Sequence, residues 1–432
     1  MAAEEDFIDD DLPEENDIQL GFIEEATNPL FNDSNWKNWD GGKVGGKPIW
    51  LNRDTLPSYG DIQCSSCKET MALLVQIYCP LDQPDTAFHR SLYLFCCRKA
   101  ECIDSGSIKC IRCQLPRVNK FYPPIAPDES ESESVCVPVG SYPNLCAVCG
   151  CHGSHCCGKC RNVFYCSRSH QKLHWRHHKS ACGTGEVDSS APSSGALFPE
   201  YEIAIEPEEV PADHDNQTSS DQQPTTENDL LKGLDPRTEV WEGAVTPGGE
   251  GEEADAALRQ ADYNAALGNK EGLTDPVYVK FLTRVSLGGN DQVLRYYCGP
   301  RGMKDVSTTE GSSSRLPLPV SSIGTVDEES VPVCERCGAA RTFEFQVMPQ
   351  LLHFLNIDHN TRLKSKSKEK EEQEGDKAAA LASEEAFENT TREDIDWGSL
   401  DVFTCSMSCT LDDPNPYAIE YVWKQPSPMK VK

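Results

Sequence analysis

Paired cysteines and histidines between Cys146 and Cys182 constrain this chain of 432 residues more than any other feature. Within each pair, only two or three residues separate the two members. A turn that short aims two side chains at one ion, and zinc takes four nitrogen or sulfur ligands in a tetrahedron. The pairs are Cys146 and Cys149, Cys157 and Cys160, Cys166 and His170, and His178 and Cys182. They predict a small module that holds two zinc ions and gains most of its folding free energy from them.

Composition limits where the chain works and what it binds. The formal net charge is −30, which argues against general or sequence-specific nucleic-acid binding and favours a basic partner. The first 17 residues hold nine acids and no apolar run, so they do not read as a signal peptide. No stretch approaches the roughly 20 apolar residues of a membrane span, so no membrane partner is expected. The 22 cysteines therefore belong to a reducing compartment, cytoplasm or nucleus, where metal ligands are more common than disulfides.

Two segments far apart in the chain predict copies of one β-rich fold. Cys64 and Cys67 precede an alternating apolar run, and Cys334 and Cys337 precede another at the same offsets, with Gln346 matching Gln76. Such alternation is typical of a half-buried strand. Because each copy ends with a second cysteine pair, a further zinc site is expected in each. The candidate ligands are Cys64, Cys67, Cys97 and Cys102 in the first copy, and Cys334, Cys337, Cys405 and Cys409 in the second.

Two explanations of these outer cysteines stay open. They bind zinc, or they are small buried residues of paired strands, because free cysteine is among the most buried residue types. The spacings are clean in the second copy and favour zinc there. In the first copy, five cysteines compete for the last two positions: Cys96, Cys97, Cys102, Cys110 and Cys113.

The chain is thus predicted to be a β-rich α+β protein with zinc-ribbon-like knuckles, interrupted by a small zinc finger and by disordered acidic segments. Acid-rich, apolar-poor segments cannot bury enough surface to offset their ordering entropy. The expected parts are a disordered acidic tail at 1–19, a first copy at 20–135, the finger at 146–182, an acidic linker at 183–262 with a strand at 198–205, and a second copy at 270–425 with a charged insertion at about 361–396.

The finger resembles the MYND zinc finger, including its Tyr165-Cys166 and its Trp175 before the last pair. In that family the pairs interleave. The resemblance implies one site of Cys146, Cys149, Cys166 and His170, and a second of Cys157, Cys160, His178 and Cys182. It leaves Cys151, Cys156, His174 and His177 spare, with Cys156 and His177 each beside an expected ligand.

A second resemblance covers most of the ordered chain. LGFIEEA, AFHRSLYLFCC, FPEYEIAIEPE and CERCGAARTFEFQVMPQLL, in this order, are similar to the programmed cell death protein 2 family. That family has a duplicated β-rich domain interrupted by a MYND finger. The resemblance implies a dedicated chaperone that escorts a newly made protein of the small ribosomal subunit in ribosome biogenesis, towards pre-ribosomes in the nucleus.

Three classes of function are compared. A non-enzymatic chaperone for a basic ribosomal client fits the acidity and the closed metal sites best. The alternative is a transcriptional co-regulator or adaptor, because MYND fingers commonly grip proline-rich peptides. An enzyme is third: no catalytic residue and no organic cofactor site is expected, and zinc held by four protein ligands has no open position for water.

Overall fold

The computed structural model describes residues 18–24, 42–122 apart from 104–105, 124, 144–183, 195–208, 275–297, 317–355 apart from 323, 325 and 327, and 395–427 apart from 412–414. Residues 1–17 of the expected acidic tail, most of the acidic linker and nearly all of the charged insertion lie outside these residues. The described parts of residues 1–208 and 277–432 form one compact unit, which holds all the described strands.

The described elements are mostly strands, which confirms the β-rich α+β class. The strands are β1 (Ile18–Glu24), β2 (Gly42–Val44), β3 (Ala72–Tyr78), β4 (His89–Cys96), β5 (Ile108–Leu115), β6 (His155–Cys156), β7 (Phe164–Tyr165), β8 (Tyr201–Pro207), β9 (Leu294–Tyr297), β10 (Arg341–Val347), β11 (Ser399–Cys405) and β12 (Tyr417–Gln425). The helices are α1 (Arg168–Ala181), α2 (Pro276–Leu287) and α3 (Leu351–Phe354), with single 3-10 turns at Asp85–Ala87, Ala100–Cys102 and Glu328–Ser330.

Ten strands from both copies close into one antiparallel barrel, in the order β1, β8, β2, β3, β4, β5, β12, β11, β10, β9 and back to β1. Around the barrel, the first copy thus contributes β2 to β5 in chain order, and the second copy contributes β12 to β9 in reverse chain order. The two series meet where β5 pairs with β12, with Ile111 opposite Ile419. The copies share one barrel and do not form two separate domains.

The first strand of each copy is exchanged between them. β1 pairs with β9 of the second copy, while β8 pairs with β2 of the first, and β1 and β8 pair with each other. The strand expected at 198–205 is therefore β8, a barrel strand at Tyr201–Pro207. Gly21 sits at this closure, where an added Cβ would lie 2.8 Å from both Ile203 and Leu294.

Small details repeat in both copies. β3 and β10 each shift register at the same place, between Leu73 and Val75 and between Phe343 and Phe345. The matched glutamines, Gln76 and Gln346, make equivalent hydrogen bonds. The Gln76 amide accepts a hydrogen bond from the Ile49 nitrogen (2.9 Å) and donates to the Ile49 oxygen (2.7 Å). Gln346 binds Leu318 in the same way, at 3.1 and 2.8 Å. The segment before the cysteine knuckle is thus tied to the barrel identically in each copy.

The barrel interior is apolar over much of its length. Its buried side chains come from strands around the circumference and from both copies: Val44, Val75, Ile77, Leu92, Leu94, Ile203, Leu294, Phe345, Val347, Leu400 and Val402. Removing these side chains from water supplies a large favourable term, about 1.5–3 kcal/mol for each fully buried one. One hydrophobic interior therefore binds the two copies together.

Buried ion pairs also join the copies. Arg90 lies on the same face of β4 as Leu92 and Leu94, because side chains alternate along a strand. Its guanidinium donates to both Glu344 oxygens, at 2.9 and 2.8 Å, and both side chains are fully buried. Thr404 donates to the same carboxylate at 2.5 Å. In a second pair, the Arg112 Nε donates to Glu420 at 2.6 Å, and both side chains are again buried.

The zinc finger packs against the outer face of the first copy. Trp50, which is 1% exposed, donates from its indole nitrogen to the Gly150 oxygen at 2.8 Å. Lys47 donates to the Ala147 oxygen at 2.9 Å. The Trp50 ring also lies 4.8 Å from the Tyr93 ring of β4. Trp50 therefore links the finger to the wall of the barrel.

Helix α2 lies over another part of the unit, where Phe281 and Val285 pack with Val320 and Met348. Among the residues that the structure describes, none of the helices combines the length and apolar character that a membrane crossing requires.

Replacing Glu344 tests the buried ion pairs. Glu344→Ala should lower the free energy of unfolding by about 3–5 kcal/mol, because it leaves the Arg90 charge buried without its partner. Asp82→Ala is the control: Asp82 pairs with Arg117 at 3.5 Å on the surface, and its loss should cost about 1 kcal/mol or less. Urea unfolding of both variants measures the difference. Equal effects would mean that Arg90 is not desolvated.

Asp401 makes stability depend on pH. Its carboxylate accepts hydrogen bonds from Ser399 and Gln425, each at 2.8 Å, and burial raises its pKa from 3.8 to about 7. The folded chain then binds this proton more tightly than the unfolded chain, so wild-type stability falls as the pH rises through about 4 to 7. Asp401→Asn removes that loss.

Between about pH 5.5 and pH 8, the stability of Asp401→Asn relative to wild type should rise by about 2 kcal/mol. Urea unfolding at both pH values checks it, with Asp54→Asn as the control for the loss of a surface carboxylate. A difference that stays constant with pH would show that Asp401 does not titrate in this range.

Candidate metal centres

One turn geometry recurs at all four cysteine pairs with two intervening residues. In each, the residue after the second cysteine has a positive φ and its N–H donates to the carbonyl of the first cysteine, at 2.8 to 3.1 Å. Those residues are Lys68, Gly150, Arg161 and Gly338, with φ of 64°, 69°, 60° and 74°. Positive φ is uncommon for lysine and arginine and carries a cost. The turn points both sulfurs to one side, as a shared metal ion requires.

The finger brings together its first four expected ligands, Cys146, Cys149, Cys166 and His170. The Cys149 and Cys166 sulfurs are 3.6 Å apart, and the His170 Nδ1 is 3.1 Å from the Cys166 sulfur. A zinc tetrahedron with bonds of about 2.3 Å has ligand atoms about 3.8 Å apart. Helix α1 positions His170, since Ser167 caps its start by accepting from the His170 nitrogen at 3.3 Å. The spacing fits zinc.

The second cluster of the finger contains Cys157, Cys160, His178 and Cys182. The Cys157 and Cys182 sulfurs are 3.8 Å apart, and the His178 Nε2 lies 3.4 Å from the Cys160 sulfur. The pairs interleave, with the two clusters sharing helix α1. Both positions next to an expected ligand fall outside the cluster: Cys156 is exposed on β6, and His177 is not among the grouped residues.

Each β copy holds a cluster as well. Cys64, Cys67, Cys97 and Cys102 come together, with 3.7 Å between the Cys67 and Cys97 sulfurs. Their counterparts Cys334, Cys337, Cys405 and Cys409 do the same, with separations of 3.8 Å for Cys334 and Cys409 and 3.5 Å for Cys337 and Cys405. Sulfurs bonded in a disulfide would lie about 2.05 Å apart. These distances match the edges of a zinc tetrahedron.

The three other cysteines that compete in the first copy lie elsewhere. Cys96 and Cys110 are buried with the barrel interior, and Cys113 is buried in the cluster around Trp50. Among the spare residues of the finger, Cys151 is buried and His174 is hydrogen-bonded through Nδ1 to the Tyr165 hydroxyl at 3.0 Å. These side chains serve packing. Sequence spacing alone does not separate them from ligands.

Electrostatics favour a cation in these clusters. Burial raises the pKa of the Cys405 thiol to about 12, so this group needs a nearby positive charge to become the thiolate that binds metal. Four thiolates this close together would also repel one another without an ion between them. A divalent cation removes that repulsion and stabilises the local fold.

Sequence reasoning missed the residues that anchor the finger. Lys47 and Trp50 lie about 100 residues from their acceptors Ala147 and Gly150, and no spacing pattern connects them. Glu69 and Thr70 also reach the finger, at 3.3 Å from Ser169 and from the Cys166 sulfur. The aromatic Trp50 within a strand-like segment was the available signal, but it marks burial without naming the partner.

Comparison with known sequences shows the family of the chain. It is 35% identical over 413 residues to programmed cell death protein 2 of Mus musculus, an alignment that covers 94% of this chain and 96% of the mouse protein. The chain belongs to the programmed cell death protein 2 family. The Bos taurus protein of that name is also 35% identical, with the same coverage. Programmed cell death protein 2-like of Mus musculus is 27% identical over 346 residues, covering 74% of this chain and 80% of that protein.

Domain profiles agree with this assignment and confirm the resemblance seen in the motifs. The N-terminal domain of programmed cell death protein 2 matches residues 17–129, its C-terminal domain matches 275–426, and the MYND finger matches 146–182. No solved structure matches the chain. This member of the programmed cell death protein 2 family thus carries a MYND finger and two further cysteine clusters, all compatible with zinc.

Adjacent cysteines in the finger give a matched test of the second cluster. Cys157→Ser removes a ligand and should lower the zinc content by one ion per chain, whereas Cys156→Ser changes an exposed thiol and should leave the zinc content unchanged. Plasma mass spectrometry on gel-filtered protein measures the content. Zinc loss in Cys156→Ser with none in Cys157→Ser would place this ligand one residue earlier.

Proposed function

We propose that this protein is a non-enzymatic chaperone that escorts a newly made, basic protein of the small ribosomal subunit through the cytoplasm and nucleus. The observation that carries the proposal is the net charge of −30 on a chain of the programmed cell death protein 2 family. An acidic surface attracts a polypeptide rich in lysine and arginine and shields it from nucleic acid. The chaperone role itself comes from the resemblance to the family.

The buried chemistry supports binding over catalysis. Four carboxylates are buried among the described residues. Glu208, Glu344 and Glu420 each face a guanidinium group. Asp401 instead accepts hydrogen bonds from Ser399 and Gln425. Most of the described cysteines are gathered in the four clusters. Groups held in closed pairs and clusters are poorly placed to exchange protons with a substrate. We propose no catalytic role for them.

We further propose four structural zinc ions per chain, two in the finger and one in each β copy. The repeated turn and the tetrahedral spacing of the four clusters support this number. Four protein ligands leave each ion without an open position, so the zinc would stabilise the fold and perform no chemistry.

A second candidate function, an adaptor or transcriptional co-regulator, rests on the exposed surface of the finger. The finger has no acidic residue, and its six lysines and arginines are all exposed. They are Lys159, Arg161, Arg168, Lys172, Arg176 and Lys179. Trp175, which lies on helix α1, is 43% exposed. A basic surface with an aromatic side chain suits an acidic or proline-rich peptide.

Affinity purification after a short pulse of labelled amino acids separates the two functions. The tagged chain should capture a labelled, basic small-subunit ribosomal protein at about 0.15 M salt and lose most of it at about 0.5 M, because screening weakens attraction between exposed charges. A variant with Lys159, Arg161, Lys172 and Lys179 changed to Gln should keep this client. Capture of chromatin factors alone, lost in that variant, would support the co-regulator and contradict the chaperone.

A further inference from the structure

The internal duplication allows the same surface to be compared in two versions. Around the cysteine cluster of the second copy, three large apolar side chains are exposed: Val333 by 57%, Met407 by 64% and Ile419 by 40%. Four other large apolar side chains are comparably exposed among the described residues, and they are scattered: Val118, Trp175, Ile205 and Leu287. We call Val333, Met407 and Ile419 the knuckle surface.

The three residues of the knuckle surface are neighbours. Val333 precedes the ligand Cys334, and Met407 lies between the ligands Cys405 and Cys409. The Arg341 guanidinium donates to the Val333 oxygen at 2.7 Å and to the Ile419 oxygen at 3.0 Å. One guanidinium group and one cysteine cluster therefore hold all three segments together.

The surface is also rigid. Arg341 is buried and further donates to Glu420 at 3.1 Å, and the same carboxylate accepts from the Cys405 backbone nitrogen at 3.2 Å. A hydrogen bond from the Ser408 backbone nitrogen to the Cys405 oxygen, at 2.9 Å, closes the turn that carries Met407. Apolar side chains on a pre-ordered support bind a partner with little loss of conformational entropy.

The first copy shows that the fold does not need these apolar side chains. Gln63 precedes Cys64 as Val333 precedes Cys334. The register of β5 on β4 and of β12 on β11 makes Ser107, which is 1% exposed, the counterpart of Ile419. The loop after that first knuckle touches the zinc finger through Glu69 and Thr70, whose counterparts Ala339 and Ala340 are partly or fully exposed. Exposure of the knuckle surface is thus specific to the second copy.

Charge around the knuckle surface indicates what it binds. Glu329 and Glu335 are exposed nearby in the chain. Arg336 is exposed too and donates to the Tyr417 oxygen at 3.3 Å, and its positive charge leaves these three side chains with one net negative charge. The net charge of −30 adds a negative background. Apolar side chains with an acidic rim fit a basic segment that carries apolar residues of its own.

We propose that the knuckle surface is the docking site for an apolar stretch of the basic client, with the surrounding acids attracting its lysines and arginines. The proposal rests on the proposed chaperone function. Burial of three apolar side chains at the centre of such a contact, with charges at its rim, is the usual arrangement of a protein interface. Met407 in addition adapts its shape to different apolar partners.

Two matched triple variants test the proposal. The surface variant carries Val333→Thr, Met407→Gln and Ile419→Thr. The control carries Val118→Thr, Ile205→Thr and Leu287→Gln, which removes the same kinds of exposed apolar side chain elsewhere. Zinc content and the urea midpoint should match wild type in both, because all six residues are exposed. In the pulse-labelled purification, the surface variant should capture at least tenfold less client, and the control as much as wild type.

Each other outcome overturns the proposal in a distinguishable way. Capture by the surface variant at the wild-type level overturns the docking site and leaves the chaperone function intact. A wild-type chain that captures no basic ribosomal protein overturns both. Light scattering tests whether a second copy of the chain occupies the surface instead. A dimeric wild type and a monomeric surface variant would assign the knuckle surface to that second copy and overturn the proposal.

Discussion

Pairing of the two copies within one barrel is the constraint on which the rest of the structure depends. A half of this sheet taken alone would present two unpaired edges, at β5 and β2 in the first copy and at β12 and β9 in the second. Unpaired edges invite association with other chains. The exchange of β1 and β8 and the pairing of β5 with β12 remove every edge. The buried Arg90–Glu344 and Arg112–Glu420 pairs are satisfied only when these contacts form.

Metal clusters and barrel support each other. Each β cluster joins a knuckle to the end of a barrel strand: Cys97 follows β4, and Cys405 ends β11. A bound ion would therefore fix segments that hydrogen bonding alone holds weakly, including turns with Lys68 in a strained conformation. On the other side, Trp50 and Lys47 attach the finger to the first copy. The finger is positioned by the barrel wall, while its own fold rests on its ligands.

Local spacing predicted the metal clusters, because a knuckle is a short-range turn whose ligands are set by a few residues. It also predicted the duplication, since Gln76 and Gln346 keep equivalent places in equivalent strands. The ion pair between Arg90 and Glu344 links residues 254 positions apart, and nothing in either neighbourhood identifies the partner. For the same reason, the sequence predicted a strand within the linker but did not indicate which strands it pairs with. The role of β8 in the barrel depends on β1 and β2, far away in the chain.

The pairing of β5 with β12 has a consequence for the synthesis of the chain on the ribosome. Arg112 and Glu420, which meet across these strands, are 308 residues apart. At roughly 5–20 residues per second, a ribosome takes about 15–60 s to make the chain between them. During that time the first copy has left the ribosome with the edge of β5 unpaired. A protein proposed to guard another nascent chain thus passes through a vulnerable nascent state of its own.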